Sequence, residues 1–229
     1  MPSVIRKLKN TYQEFGFLVA TAYLSHLVLT RLGGSSGLYI YHFYEQALER
    51  PEAQRINGFT FEWLDRYSDF LIVLPRPEEK LKDRFNGSTR CLLGKKNGEL
   101  ASCAWFACGV FDEDEVNYRI RLGPQQVWDF DVYVIPKYRL GRLFLYTWQR
   151  ASNDLRTEGY QSTLSRISAY NRTSVTTHEK LGAKCLSTAI FLKIWSFQIT
   201  VATRIPYLAL SIGERGKPTF DFSDSRSPL

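Results

Sequence analysis

The segment from Val127 to Asn171 constrains this chain most, because it reads as strand, basic loop, helix and strand with nothing inserted between them. Residues 127–135 are strand-like and stop at Pro136, which has no N–H to give a ladder. Lys137, Tyr138, Arg139, Leu140, Gly141 and Arg142 form the loop. Phe144, Trp148, Ala151 and Leu155 then recur at helical spacing, and Gly159 ends the helix. A second strand at 160–170 closes at Asn171, and a short helix ends at Leu181 and Gly182. A strand, a helix and a returning strand make a right-handed crossover, so the two strands are expected to be parallel neighbours in one sheet with the helix packed on it.

The rest of the chain adds strands of the other kind. Arg90–Lys95 and Leu100–Cys108 flank Asn97-Gly98, a hairpin signal, and the second of them is almost continuously apolar, as a strand buried on both faces should be. Leu38–Tyr44 reads as a first strand, and Pro77–Phe85 as a helix with proline and acids at its start and Asn86-Gly87 at its end. Trp63–Leu74 is too mixed to assign. Val116, Tyr118, Ile120 and Leu122 alternate with polar residues, and Ala189–Leu210 supplies further strand-like sequence. The expected fold class is α/β in the α+β sense, a mixed and mainly antiparallel sheet flanked by helices. Residues 1–37 read as an apolar helix and a Gly/Ser linker, 38–212 as the main domain, and 213–229 as a polar, loose tail apart from Phe220 and Phe222.

A chain of 229 residues with 44% hydrophobic and 14% aromatic content can bury a sizeable core. Its formal charge of +7 is dispersed, with small clusters at Arg6, Lys7 and Lys9, at Lys95 and Lys96, and in the loop after Pro136. No long basic run, zinc-finger spacing or RNA-binding aromatic pattern points to nucleic acid. Cys91, Cys103, Cys108 and Cys185 form no C-x-x-C pair and read as buried free thiols of a reducing, cytoplasmic compartment. Three histidines are too few and too scattered for a zinc site. Phe15–Thr30 carries no formally charged residue, but its sixteen residues fall short of the roughly 20 that span a bilayer. A helix apolar all round predicts packing on the body or peripheral membrane contact.

Val134, Pro136, Tyr138 and Arg139, followed by Asn171, Ser174, Glu179, Lys180 and Gly182, resemble the motif run of the GNAT superfamily, the acetyl-CoA-dependent N-acetyltransferases. The resemblance implies acetyl-CoA, or another acyl-CoA, held where the parallel strand pair is splayed. It implies that the loop residues Lys137, Arg139, Leu140, Gly141, Arg142, Leu143 and Phe144 grip the cofactor diphosphate, and that Asn171 and Ser174 contribute to the same ligand. It places the backbone near Val134 at the thioester carbonyl. His178 stands where many members carry the tyrosine that protonates the departing thiolate. The loop has one glycine where the family commonly has two or three.

The residues support this chemistry on their own terms. A diphosphate needs clustered N–H donors and positive charge, which a helix N-terminus beside basic residues offers, and Gly141 permits close approach. Asn171 can also simply cap the helix after it. An imidazole with a pKa near 6.5 can hand a proton to a thiolate whose acid has a pKa near 8.5, and Tyr170 is a second candidate acid. An acceptor amine near pKa 10.4 must lose a proton, which a carboxylate can take. Asp129 and Asp131 are the candidates, and strand alternation predicts that they share a face, with Trp128, Phe130, Val132 and Val134 on the other. The acidic run Asp112–Glu115 reads as a solvated turn able to attract a cationic acceptor.

The chain is therefore expected to be an N-acyltransferase that moves an acetyl or other acyl group from acyl-CoA directly to a primary amine of a small molecule or peptide. Two alternatives stay open: a non-catalytic module of the same fold at a membrane surface, and a transferase of aminoacyl or long-chain acyl groups.

Overall fold

The computed structural model of the protein describes residues 16–33, 36–48, 58–113, 115–139 and 141–224. Leu140 of the loop, Asp114 of the acidic run, Gly34 and Ser35 of the linker, and the Arg6, Lys7 and Lys9 cluster lie outside them. The α-helices are α1 (Phe17–Leu29), α2 (Glu78–Arg84), α3 (Leu143–Thr157) and α4 (Arg172–Lys180). The strands are β1 (Gly37–Ala47), β2 (Phe59–Leu64), β3 (Thr89–Lys96), β4 (Glu99–Ala107), β5 (Val110–Asp112), β6 (Arg119–Arg121), β7 (Gln126–Val134), β8 (Ser162–Ser168), β9 (Lys184–Ile194), β10 (Phe197–Ala202), β11 (Leu208–Ile212) and β12 (Thr219–Asp221). Two compact units divide the chain, one of residues 47–111, 122–165 and 223–229, the other of residues 1–46, 112–121 and 166–222.

In the first of these units the strand order is β8-β7-β4-β3-β2. Its ladders are antiparallel except β7 with β8, which run parallel from Gln126↔Ser162 to Asp129↔Ser165. The expected mixed, mainly antiparallel sheet with one parallel pair is present. Asn97 at φ 52° and Gly98 at φ 81° make the tight hairpin between β3 and β4. β4 is buried from Leu100 to Ala107 because helices cover both of its faces. Trp105 packs with Leu71, Cys91 and Leu81 of α2, while Phe106 packs with Ala151 and Leu155 of α3. Trp63 Nε1 donates to Asp154 Oδ2 at 2.8 Å, and the Ser102 and Thr147 hydroxyls meet at 2.7 Å, fixing α3 on the sheet. Residues 63–74 resisted assignment because two elements share them: β2 ends at Leu64 and a 3-10 turn begins at Asp69.

The other unit holds the antiparallel order β11-β10-β9-β1 and a parallel pair of β12 with β6. The expectation of a loose tail from Gly213 excepted Phe220 and Phe222, and β12 forms around the first of them. Phe220 and Phe222 are fully buried with ring centroids 5.3 and 5.7 Å from Phe43, and this aromatic burial holds the polar stretch around them. The acidic run is solvated only in part, Asp112 and Glu115 staying nearly half exposed while Glu113 is buried. Arg119 binds Asp112 at 2.8 Å, and Arg166 binds Glu113 at 3.0 Å and Glu115 at 2.9 Å, with Glu113 buried. These carboxylates are spent on arginines of their own unit. Cys91 and Cys103 are buried as expected, but Cys185 is exposed.

The β9–β11 sheet inverts the usual alternation. Gln198, Thr200 and Ser211 are buried, whereas Phe197, Val201, Leu208, Leu210 and Ile212 on the other face are exposed. α1 is held through one side only, His26 edge-on to Tyr39 at 4.9 Å and Tyr23 against Tyr170 at 5.3 Å, with Ala20 its buried residue. No helix among the described residues is long and apolar enough to cross a membrane.

Candidate functional site

Strand β7 carries the site residues of the first unit, and it is not a regular strand. Trp105 of β4 faces Asp131, and the next residue, Phe106, faces Asp129, so Phe130 is an extra residue with no partner on β4. Such a bulge shifts the alternation by one. Because directly opposed residues share a face, Asp131 lies on the α2 face with Trp105, and Asp129 on the α3 face with Phe106. This corrects the expectation that the two aspartates share a face. Their neighbours follow suit: Phe130, Tyr133 and Ile135 pack on the α2 side, and Val127 and Val132 on the α3 side.

The two carboxylates meet different surroundings. Asp131 Oδ2 accepts from Arg76 Nε at 2.8 Å and from an Arg84 guanidinium nitrogen at 2.9 Å. Arg84 also lies over the rings of Trp105 and Phe130, at 4.8 and 5.0 Å. Asp131 thus ties α2 and the segment before it to the sheet. Asp129 is buried, and among the described residues no hydrogen bond or ion pair reaches its carboxylate. Burial alone pushes its pKa up to about 7. It sits at the end of the parallel ladder, and β7 continues beyond it to Val134.

The basic loop begins with a 3-10 turn, Pro136–Tyr138, and leads into α3. Arg139 Nε turns back to the Val134 carbonyl at 2.9 Å, and Lys137 Nζ reaches Glu99 Oε2 at 3.2 Å. Val134 itself stays in the ladder opposite Ser102. Among the described residues the Arg142 side chain has no partner. α3 runs for 15 residues from Leu143, and its first turn has no side-chain cap. Leu143 is buried, and Phe144 is exposed at the start of the helix. A Cβ placed on Gly141 would meet only the Tyr138 carbonyl at 3.4 Å, an ordinary contact, so the fold itself does not demand glycine there.

The remaining candidates belong to the other unit. Asn171 caps α4, its Oδ1 accepting from the Ser174 backbone N–H at 3.1 Å. His178 Nδ1 lies 2.8 Å from the Ser174 carbonyl oxygen, one helical turn back, so it is the protonated nitrogen and Nε2 is the uncommitted one. The ring stands 6.3 Å from that of Tyr44, whose hydroxyl donates to Glu179 at 3.2 Å. Tyr170 donates its hydroxyl to the Leu38 carbonyl at 2.8 Å, and burial raises its pKa.

Sequence reasoning missed the Phe130 bulge, which no glycine or proline marks, and missed Arg76 and Arg84 as partners of Asp131. Arg84 carries a weak signal, since it ends the predicted helix 77–85.

No protein-family model matches the chain, and no curated protein matches it. Among solved structures it is similar to a GCN5-related N-acetyltransferase from Sphaerobacter thermophilus, with 13% identity over 72% of this chain and 54% of that one and a TM-score of 0.48. It is similar also to a tandem GNAT protein from the clavulanic acid biosynthesis pathway, with 14% identity over 65% of this chain and 50% of that one and a TM-score of 0.43. A third likeness is to an aminoglycoside acetyltransferase from an uncultured soil metagenomic sample, with 10% identity over 55% of this chain and 88% of that one and a TM-score of 0.39.

Proposed function

We propose that the chain is an N-acyltransferase that moves an acyl group from acyl-CoA to a primary amine, with Asp129 as the base that takes the amine proton. The carrying observation is the carboxylate itself: buried, without a partner among the described residues, its pKa raised to about 7, at the end of the parallel ladder and beside a strand bulge. Leaving such a group unpaired lowers stability, and strongly perturbed carboxylates of this kind concentrate at functional sites. Near neutral pH it alternates between accepting and releasing a proton, as a general base must.

The loop residues fit a diphosphate. The uncapped first turn of α3 offers N–H donors and the positive end of a helix dipole, the Arg142 guanidinium has no partner among the described residues, and Gly141 leaves its backbone open where the fold did not require it. When bound, CoA would supply the acyl group as a thioester. As the acid for the departing thiolate His178 is favoured over Tyr170, because among the described residues its Nε2 makes no hydrogen bond and in the imidazolium form carries a proton to give, whereas the Tyr170 hydroxyl proton is held by the Leu38 carbonyl. The acceptor is a small-molecule or peptide amine. A non-catalytic reading draws on the same loop, where Lys137 and Arg139 are already engaged with Glu99 and Val134.

Calorimetry with acetyl-CoA and desulfo-CoA, followed by an acetyl-transfer assay on a panel of primary amines, tests the proposal. Binding of both ligands is expected, with turnover that rises through about pH 7. A wild-type protein that binds neither would overturn it.

A further inference from the structure

We propose that the cavity between the 3-10 turn Asp69–Val73 and the tip of the β3–β4 hairpin binds a small amine carried on an apolar group. The cavity holds about 660 Å³, within the range of sites that enclose a small organic molecule. Its lining residues all belong to the first unit. The spacing of the turn creates it. In a 3-10 helix residues three apart stand one above the other. Leu71 and Leu74 therefore share one side, and both are buried in the cluster around Trp105. Phe70 and Val73 share the next side and line the cavity, 38% and 56% exposed. One apolar pair anchors the turn in the core, and a second pair is left facing water across a hollow.

The hairpin supplies the other wall. Asn97 and Gly98, at φ 52° and 81°, turn the chain so that Glu99 and Leu100 come next at the cavity. Ile135 adds a further apolar wall, its N–H donating to the Ala101 carbonyl at 2.9 Å beside the same hairpin. Phe70, Val73, Leu100 and Ile135 thus surround the space without a single side-chain donor or acceptor. Any specificity has to come from the charged groups among them.

Those charges decide the sign of the ligand. Three lysines stand near the walls: Lys82 near Asp69, Lys95 over the Phe70 ring at 4.4 Å, and Lys137 at Glu99. Each already has a carboxylate, Glu78 at 2.7 Å, Glu62 at 2.5 Å and Glu99 at 3.2 Å respectively. Asp69 lines the cavity, and among the described residues no hydrogen bond or ion pair reaches its carboxylate. The three pairs cancel, and the charge left over is negative. An acid would meet Asp69 with no spare cation to hold it. An ammonium gains a charge-assisted hydrogen bond to Asp69 while its apolar body covers Val73, Leu100 and Ile135.

This site is separate from the proposed reaction centre. Leu100 and Ile135 pack on the α2 face of the sheet, whereas Asp129 lies on the α3 face. Along β7 the two are six residues apart, about 20 Å of extended chain. An amine held at Asp69 is therefore not the acceptor whose proton Asp129 takes, and the cavity is a second ligand site.

The test is a chemical-shift titration of the full chain by NMR with phenethylamine, beside phenylethanol, phenylpropionate and ethylamine as its neutral, anionic and ring-free counterparts. Phenethylamine is expected to bind with a Kd of about 1 mM or tighter, moving amide signals of residues 69–73 and 98–100. Each counterpart should bind about tenfold more weakly. Asp69→Asn should weaken phenethylamine about tenfold, to the level of phenylethanol, and Val73→Ser about fivefold. Both side chains are exposed, so the substitutions leave folding intact, which circular dichroism checks. Asp129→Asn should leave these affinities unchanged, which keeps this site distinct from the acceptor site. A wild type whose signals at 69–73 and 98–100 do not move with phenethylamine overturns the proposal. So does phenylpropionate binding as tightly as the amine, and so does an amine affinity that Asp69→Asn leaves unchanged or that Asp129→Asn abolishes.

Discussion

The two faces of β7 carry the same side chain two residues apart and put it to opposite uses. On the α2 face Asp131 is gripped by Arg76 and Arg84, its charge neutralised and its position fixed. On the α3 face Asp129 is buried, and among the described residues no cation and no donor reaches it. One extra residue, Phe130, separates the two environments. A carboxylate that a fold has neutralised holds the structure together, whereas one that it has isolated costs stability and keeps its proton mobile at neutral pH.

The largest effect that could break this contrast is on turnover. Asp129→Asn keeps the volume and removes the base, so acetyl transfer should fall about 10²–10⁴-fold with CoA affinity little changed. Asp131→Asn should leave turnover per folded molecule within a few-fold and destabilise the protein by about 1–2 kcal/mol, because Arg84 loses its carboxylate. Steady-state kinetics beside urea unfolding reads both numbers. Equal losses of turnover in the two variants would erase the distinction.

Next in size is an opposite effect on stability. Asp129 has a folded pKa of about 7 against an ordinary 3.8, so between those values the folded chain keeps a proton that the unfolded chain releases. Its favourable contribution is complete below about pH 4, declines as pH rises, and is gone above about pH 7. Asp129→Asn carries no such penalty. It should therefore be more stable than wild type by about 2–4 kcal/mol at pH 8, with the gap closing toward pH 4. Unfolding free energies at pH 4, 6 and 8 check this, and a gap that does not vary with pH would mean that Asp129 is not buried as a free acid.

The sequence made the local devices of this site legible and left its long-range ones hidden. The hairpin at Asn97-Gly98, the β7–α3–β8 crossover and the Asn171 cap each depend on residues within one turn or one alternation period, and each is present. The bulge at Phe130 depends on how β4 and β7 align, and no residue in β7 marks it, so the shared face assigned to the aspartates failed there. The same limit hid the burial of Glu113, whose partner Arg166 lies far away in the chain. The inverted face of β10 and β11 has a similar origin. Alternation shows which residues share a side, but only the packing of Gln198 against Asn117 shows which side faces inward.

The smallest effect carries the contrast into the basic loop. Arg139 and Arg142 stand three residues apart, one spent on the Val134 carbonyl and the other without a partner among the described residues. If a free cation at the α3 N-terminus is what a diphosphate meets, Arg142→Ala should weaken CoA binding about tenfold through a lost charge-assisted contact. Arg139→Ala should change CoA affinity by less than about threefold, since its exposed bond to Val134 is worth little in water. The adenine and pantetheine ends of the ligand are the same for both variants, so inorganic pyrophosphate in competition calorimetry should show the same ranking for the anionic portion alone. A reversed ranking would mean that Arg139 leaves Val134 to take the ligand, and the division between engaged and free groups would then describe the unliganded chain only.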